Sequence, residues 1–471
     1  MKTIYKLLYG SIIILSITSC EDFLSREPKG TISNSELFSS IEGVNYATVG
    51  IYSQFASSDY YSSILIPYSE FRSGNLKMSD SYTTAMYNKI GPSFEFRNAY
   101  DDDNDLVLSL YSNLYEIIRQ SNNVIDAVDS HNYNEELLAK RYKGEALFFR
   151  AIAHFDLCRV FAQPYSYTSM GTHRGVVLMT STMEVFTQVA PSKVYEVYDQ
   201  VIEDLQNADT LLQSNSRTSG IKQAWVSSDA ARALLARIFL YKKDWNNAIK
   251  YATLVIKQSY SLVPNSNLVD SWESTSTNNE DIFVADLSSS SSRSISTYFG
   301  NVDVETAVYG TVSRDLINLY DPADARLNLI IPFSENTKDS ITIKYSSSGL
   351  IERYMSVIRL AEMYLTRAEA SAEIGDPIQA RSDLDEIRKR ANPAATNITL
   401  SGQYLKDEIQ VERRRELAFE GHTFYDFIRR GNGITRTDCN ALVNQNVSYP
   451  SDLMIVPFPK DAVDLNPLLN Q

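Results

Sequence analysis

Four positions recur at a constant offset of 132 residues: Ala236, Asp244, Trp245 and Ala248 correspond to Ala368, Asp376, Pro377 and Ala380. Each set places one alanine on a helical stretch, an Asp ahead of the next stretch, and a second alanine within it. Asp caps a helix N-terminus and Pro is tolerated at the first helical position. The alanines let two antiparallel helices approach closely. This is the tetratricopeptide pattern of helix pairs about 34 residues long, and the offset is close to four such repeats. The competing explanation is a chance match of ordinary helical hairpins.

Other stretches support a helical scaffold. Leu106, Leu110, Leu114, Ile117, Ile118, Ile125 and Val128 keep one apolar face, and Leu138, Tyr142, Ala146, Phe149, Ala153, Leu157 and Val160 form another, closed by Pro164. A third helix is predicted from Pro191-Ser192 to about Leu212, and a fourth from a cap at Ser227-Ser228-Asp229. The scaffold is thus expected at about 106–260 and 356–430. Two segments lose the period, 59–105 and 261–355. Both are rich in Ser, Asn and aromatic rings, and such long irregular insertions are uncommon unless functional or disordered. Their rings argue for order.

The net charge of −14 excludes the basic face that nucleic acid requires. Tyr supplies 30 of the aromatic residues against 3 Trp, which favours rings that lie half buried with a polar tip in water. Lys2 and Lys6 precede an apolar run from Leu7 to Ile17, then Ile17-Thr18-Ser19-Cys20. That run reads as a signal peptide, residues 1–19, because as a helix it spans only about 16 Å of a ~30 Å hydrocarbon layer. Its end resembles the bacterial lipoprotein signal, which makes Cys20 the expected lipidation site, with an ordinary secretory signal as the other reading. The mature domain is then 20–471.

Chemistry is sparse. His131, His154, His173 and His422 lack metal-ligand spacing, and no nucleophile elbow, phosphate loop or dinucleotide fingerprint occurs. Asp101, Asp103 and Asp105 begin like a calcium loop, but Leu106 and Ser112 stand where Gly and Glu are needed. Cys158 and Cys439 read as bystanders. No catalytic residue, metal or cofactor is predicted. The densest charged run, Glu412-Arg413-Arg414-Arg415-Glu416, is followed by Leu417, Phe419, Glu420, Gly421, Phe424, Tyr425, Asp426 and Phe427, and its opposite charges at helical spacing predict an internal ion-pair network.

The stretch from Ile409 to Arg430, E-R-R-R-E-L-A-F-E-G-H-T-F-Y-D-F-I-R-R from Glu412 onward, resembles the signature of the SusD/RagB family of nutrient-binding outer-membrane lipoproteins. Thr423 stands where many members carry Arg, leaving one internal ion pair in question. Further blocks agree in order: Glu21-Asp22-Phe23-Leu24, Gly144 to Phe161, Val194 to Ala208, Arg359 to Gly375, and the C-terminal Val456-Pro457-Phe458-Pro459 and Asn466 to Gln471. The resemblance implies an all-α, SusD-like protein of tetratricopeptide-like helix pairs with long loop-rich insertions forming a ligand face. It also implies a lipid anchor on the outer membrane at the cell surface and a SusC-like TonB-dependent transporter as partner, with oligosaccharides, or peptides in the RagB branch, as ligand.

Family ligand contacts come from loops at corresponding places. Tyr82 and Tyr87 in the first segment and Trp272, Tyr298 and Tyr309 in the second are therefore the expected ring contacts, with Arg72 and Asn75 as polar ones. Sugar rings offer C–H faces to such rings and hydroxyls to the polar groups. Each ring could equally pack in the core. Glycan capture is the leading reading, oligopeptide capture its nearest rival, and a lipid-anchored glycosidase or a pure protein-interaction scaffold the more distant ones.

Overall fold

The computed structural model describes residues 33–80, 82–98, 107–184, 187–213, 215–273, 276–287, 295–299, 308–333, 339–345 and 354–470. The signal peptide, Cys20 and the Asp101–Asp105 cluster lie outside these residues. The scaffold is helical: α1 (Ile41–Phe55), α2 (Leu65–Ser73), α3 (Thr84–Phe94), α4 (Leu108–Ser130), α5 (Glu136–Phe161), α6 (Val194–Leu212), α7 (Ser228–Lys242), α8 (Trp245–Ile256), α9 (Leu360–Glu373), α10 (Pro377–Ala391), α11 (Gly402–Glu416), α12 (Thr423–Arg429) and α13 (Lys460–Leu465). Between them run six short strands, β1 (Leu76–Met78), β2 (Asp281–Asp286), β3 (Gly310–Val312), β4 (Ile330–Pro332), β5 (Ser340–Thr342) and β6 (Tyr354–Arg359).

The helices stack in sequence, α4 on α5, α5 on α6, α6 on α7, and α7 on α8. At the centre lies α5, buried continuously from Gly144 to Phe161. Gly144 is needed there, because a Cβ would stand 2.9 Å from Cγ of Leu212 on α6. The four repeat alanines, Ala236, Ala248, Ala368 and Ala380, are fully buried. Asp244 and Asp376 cap α8 and α10, accepting from the amides of Asn247 at 3.2 Å and Gln379 at 3.1 Å. Ser227 caps α7 as expected.

The repeat spacing has a different origin from the one expected. Helix α8 packs directly on α9, so the two hairpins are immediate neighbours rather than ends of a fourfold array. The excursion between Ile256 and Leu360 fills the sequence between them. Its return strand β6 pairs antiparallel with β2 and runs straight into α9.

The segment 59–105 also differs from its reading as loop. It holds α2 and α3, and all nine residues of α2 are buried, so no polar face gives the helix a period. Tyr60, Tyr61, Tyr68, Phe94 and Phe96 are core residues. Strand β1 then pairs antiparallel with β3, matching Leu76 to Val312 and Met78 to Gly310, and this ladder joins the two insertions. Gly310 lies against the Phe71 ring, where a Cβ would come within 2.5 Å of Cζ.

Replacing Asp376 by Ala removes a cap from a hairpin whose burial is otherwise unchanged. It should lower stability by about 0.5–2 kcal/mol, read as a reduced urea midpoint, with Asp244→Ala giving a similar loss.

Candidate functional site

The signature run forms the interior network that its charge pattern predicts. Glu416 on α11 accepts from Arg359 Nη1 at 2.5 Å and Arg326 Nη1 at 2.8 Å, and also from Arg390 Nη2. All five donors of Arg359 are used, on Glu420, Glu280, the Glu416 carboxylate and the Glu416 carbonyl. Lys344 donates to Glu420 at 2.6 Å, and Arg413 and Arg429 both bond Asp426. Burial alone would raise the Glu416 carboxyl, but Arg390, Arg359 and Arg326 hold it well below the usual range. Burial likewise opposes ionisation of Glu420, and Arg359 and Lys344 overcome it. The network ties the second insertion, through Arg326, Lys344 and Arg359, to the C-terminal helices.

The ring candidates divide into two groups. Around the β1–β3 ladder, Tyr82 and Tyr87 stack with centroids 5.6 Å apart and an interplanar angle of 28°. Thr83 caps α3 between them, accepting from the Met86 amide. The Tyr87 hydroxyl donates to Glu95 at 2.8 Å and accepts from Arg97 at 3.3 Å, which fixes the ring. Tyr82 is 40% exposed. Across the ladder Tyr309 lies 5.1 Å from Tyr298, and Lys89 of α3 reaches over the Tyr298 ring at 5.6 Å. The Ser79 amide donates to the Tyr309 carbonyl, which carries the ladder's pairing out to the rings.

Trp272 belongs to the other group. It is half buried beneath Lys344, 4.2 Å from its ring centroid, and edge-on to Tyr345 at 6.0 Å, so it roofs the charge network.

Three expected contacts lie inside the protein. Tyr298 is only 3% exposed. Arg72 is fully buried, stacked among Tyr68, Phe96 and Phe424 at 4.1–4.9 Å, and donates to Asn98 at 2.7 Å and to the Leu453 carbonyl. Asn75 is fully buried too, donating to Glu70 at 2.7 Å and Thr423 at 2.9 Å and accepting from Arg414 at 2.8 Å. Their polarity serves internal partners, whose approach from distant parts of the chain leaves no local trace in sequence. Tyr82 is exposed and Tyr87 and Tyr309 are half-buried, with Lys89 beside them.

A second feature escaped sequence reading. A cavity of about 750 Å³ opens between α4, residues 177–184 and 187–189, and the C-terminal stretch 459–469. Its lining includes Val177, Met179 and Leu469, with Leu465 at its exposed edge, and several of its polar groups are engaged: Tyr115 donates to the Val177 carbonyl, Asn122 to those of Met179 and Ser181, and Asn466 Nδ2 to that of Val189. Tyr111 and Tyr115 read in sequence only as a core stripe.

Stacked helical hairpins carry a stacked tyrosine pair, open on the Tyr82 side, where the two insertions meet. Among the described residues no cluster of three or more His, Cys, Asp and Glu could hold a metal, and no helix is long and apolar enough to cross a membrane. Residues 22–240 match the family model described as starch-binding and associating with the outer membrane, and residues 334–471 match that of the SusD family. A SusD-like protein of Bacteroides ovatus is 25% identical over 96% of this chain and 87% of its own, and SusD-like protein P25 of Formosa agariphila is 23% identical over 89% and 88%. Crystal structures of SusD superfamily proteins from Bacteroides thetaiotaomicron and Bacteroides vulgatus superpose with a TM-score of 0.80 at 26% identity, each covering 91% of this chain and 98% and 97% of theirs. The chain belongs to the SusD/RagB family, whose members associate with the outer membrane.

Because Glu416 and Glu420 are depressed in the folded state, they contribute stability above the normal carboxylate range that is lost as pH falls below about 4.5. Glu416→Gln should cost about 3–5 kcal/mol near neutral pH by stranding its arginines. It should also flatten the acid limb of a thermal-stability profile measured between pH 5 and 3.

Proposed function

We propose that this protein captures oligosaccharides at the cell surface and passes them to a partner TonB-dependent transporter, held to the outer membrane by lipid on Cys20. The family description as starch-binding, the lipobox-like run before Cys20 and the ring face support this reading. The observation that carries it is the stacked Tyr82–Tyr87 pair, set where the two insertions meet and open on the Tyr82 side. A stacked pair held by a capped helix and a hydrogen-bonded hydroxyl keeps its orientation before ligand arrives, so little entropy is lost on binding. Sugar C–H faces pack on the rings, while Lys89 and nearby backbone groups meet hydroxyls. The work is capture and release, and requires no covalent step.

Tyr82→Ala and Tyr87→Ala should each weaken retention in polysaccharide affinity gels, by roughly 2- to 12-fold in affinity for about 0.5–1.5 kcal/mol of ring contact. Trp272→Phe should leave it unchanged. Unaltered retention in both tyrosine variants would remove the face from consideration.

The cavity favours a second reading, oligopeptide capture, because its walls offer apolar surface with several polar groups already bonded. Leu465→Arg, which places a charge at its edge, should abolish peptide binding seen by calorimetry if the cavity takes an apolar side chain. Under the glycan reading it leaves gel retention intact.

A further inference from the structure

Glu70 is a buried carboxylate whose partners are all neutral. It sits on α2, fully buried, and accepts from Asn75 Nδ2 at 2.7 Å, the Phe419 amide at 3.0 Å and the Gly421 amide at 2.9 Å. Asn75 immediately precedes β1, and its carbonyl accepts from Ser313 just beyond β3. Phe419 and Gly421 form the turn between α11 and α12, where both residues take positive φ values, 69° and 81°. One side chain thus clamps the ladder that carries the tyrosines to the turn of the signature.

The cations around this clamp are committed elsewhere. Lys344 is bonded to Glu420 and to the carbonyls of Glu416 and Ala418. Arg414 donates to Asn75 rather than to Glu70. On α12, Asp426 and Arg429 pair with Arg413 and Glu369, and His422 beside them is kept neutral by burial and by surrounding arginines. On β1, Lys77 faces Asp438 and Asp339. On and just after α3, Lys89 stands over Tyr298 and Glu95 is paired with Arg97. On α2 itself, Arg72 lies among its rings. Asn75 Nδ2 also reaches Thr423 Oγ1 at 2.9 Å, so position 423 adjoins the carboxylate through a single amide group.

We propose that Glu70 is a positioning residue whose charge state sets how firmly β1 and the ring face beyond it are held to the 417–421 turn, and that the neutral Thr423 beside Asn75 leaves this carboxylate without a hydrogen-bonded cation. Burial pushes the Glu70 carboxyl up to about 7, against the pull of its Asn75, Phe419 and Gly421 donors, so the clamp changes charge near neutrality. As a carboxylate it accepts all three N–H groups. These neutral donors offset only part of the cost of burying that charge. The sense is opposite to that of Glu416. The folded state holds more protons than the unfolded one between about pH 4.5 and 7, so this group's contribution to stability falls as pH rises through that window, and an opening that hydrates the carboxylate becomes easier above it.

The bearing of the clamp on ligand capture rests on the ring face proposed above, but its test needs no ligand. Hydrogen exchange by mass spectrometry, corrected for chemical exchange, is measured on the ligand-free protein at pH 8 and pH 5.5, for peptides covering 74–80 and 417–423, with α5 as internal reference. The wild type should lose protection in both peptides several-fold at pH 8 relative to pH 5.5. Glu70→Gln should show the same protection at both values, and Thr423→Arg, which supplies the cation, should stay protected at both. A wild-type profile without pH dependence, or a Glu70→Gln profile that keeps it, overturns the proposal. A folded Thr423→Arg protein that still loosens at pH 8 overturns the role given to Thr423. If that variant does not fold, the wild type and Glu70→Gln decide the matter. Absence of glycan binding would strike the ring face alone.

Discussion

The guanidinium of Arg359 ties the second insertion to the C-terminal helices. It stands at the end of β6, where the second insertion returns to the helical stack, and it engages Glu280, Glu416 and Glu420 at once. Taking so many charges out of water is costly, and at Arg359 the cost is offset because all five of its donors find a carboxylate or carbonyl. Such a network contributes modest net stability but tolerates few alternative arrangements, since any misfit leaves a charge buried and unpaired. That intolerance fixes the insertion, and hence the Tyr309 side of the ring face, relative to the helices.

The helices were largely legible because their burial is one-sided or their caps are explicit. The stretches around Leu110 and Val197 show a clear stripe, and Asp244, Asp376 and Ser227 announce their helices. Helix α2 was not legible, because a segment buried on every side has no polar phase to reveal its period. The strands β1 and β3 are three residues each, too short to show alternation, and their pairing spans more than two hundred residues of sequence.

The proposed ring face was foreshadowed in part. Rings within irregular sequence drew attention to Tyr82, Tyr87 and Tyr309, which the structure places around the ladder. Arg72 and Asn75 misled because a polar residue in an apparent loop reads as exposed, whereas here each satisfies internal groups brought in from far along the chain. Tyr298 and Trp272 show the same limit for aromatics: both serve packing, one under Lys89 and the other under Lys344. The cavity beside α4 had no sequence signal at all, since its lining is assembled from three separate stretches of ordinary apolar and polar residues.

The central claim is that capture occurs on the tyrosine face and not in the cavity. Amide exchange of the mature protein with and without a saturating starch oligosaccharide digest tests it directly. The account predicts added protection confined to peptides within 76–98 and 308–313. Protection at 177–189 and 459–469 instead, or none anywhere, would contradict it.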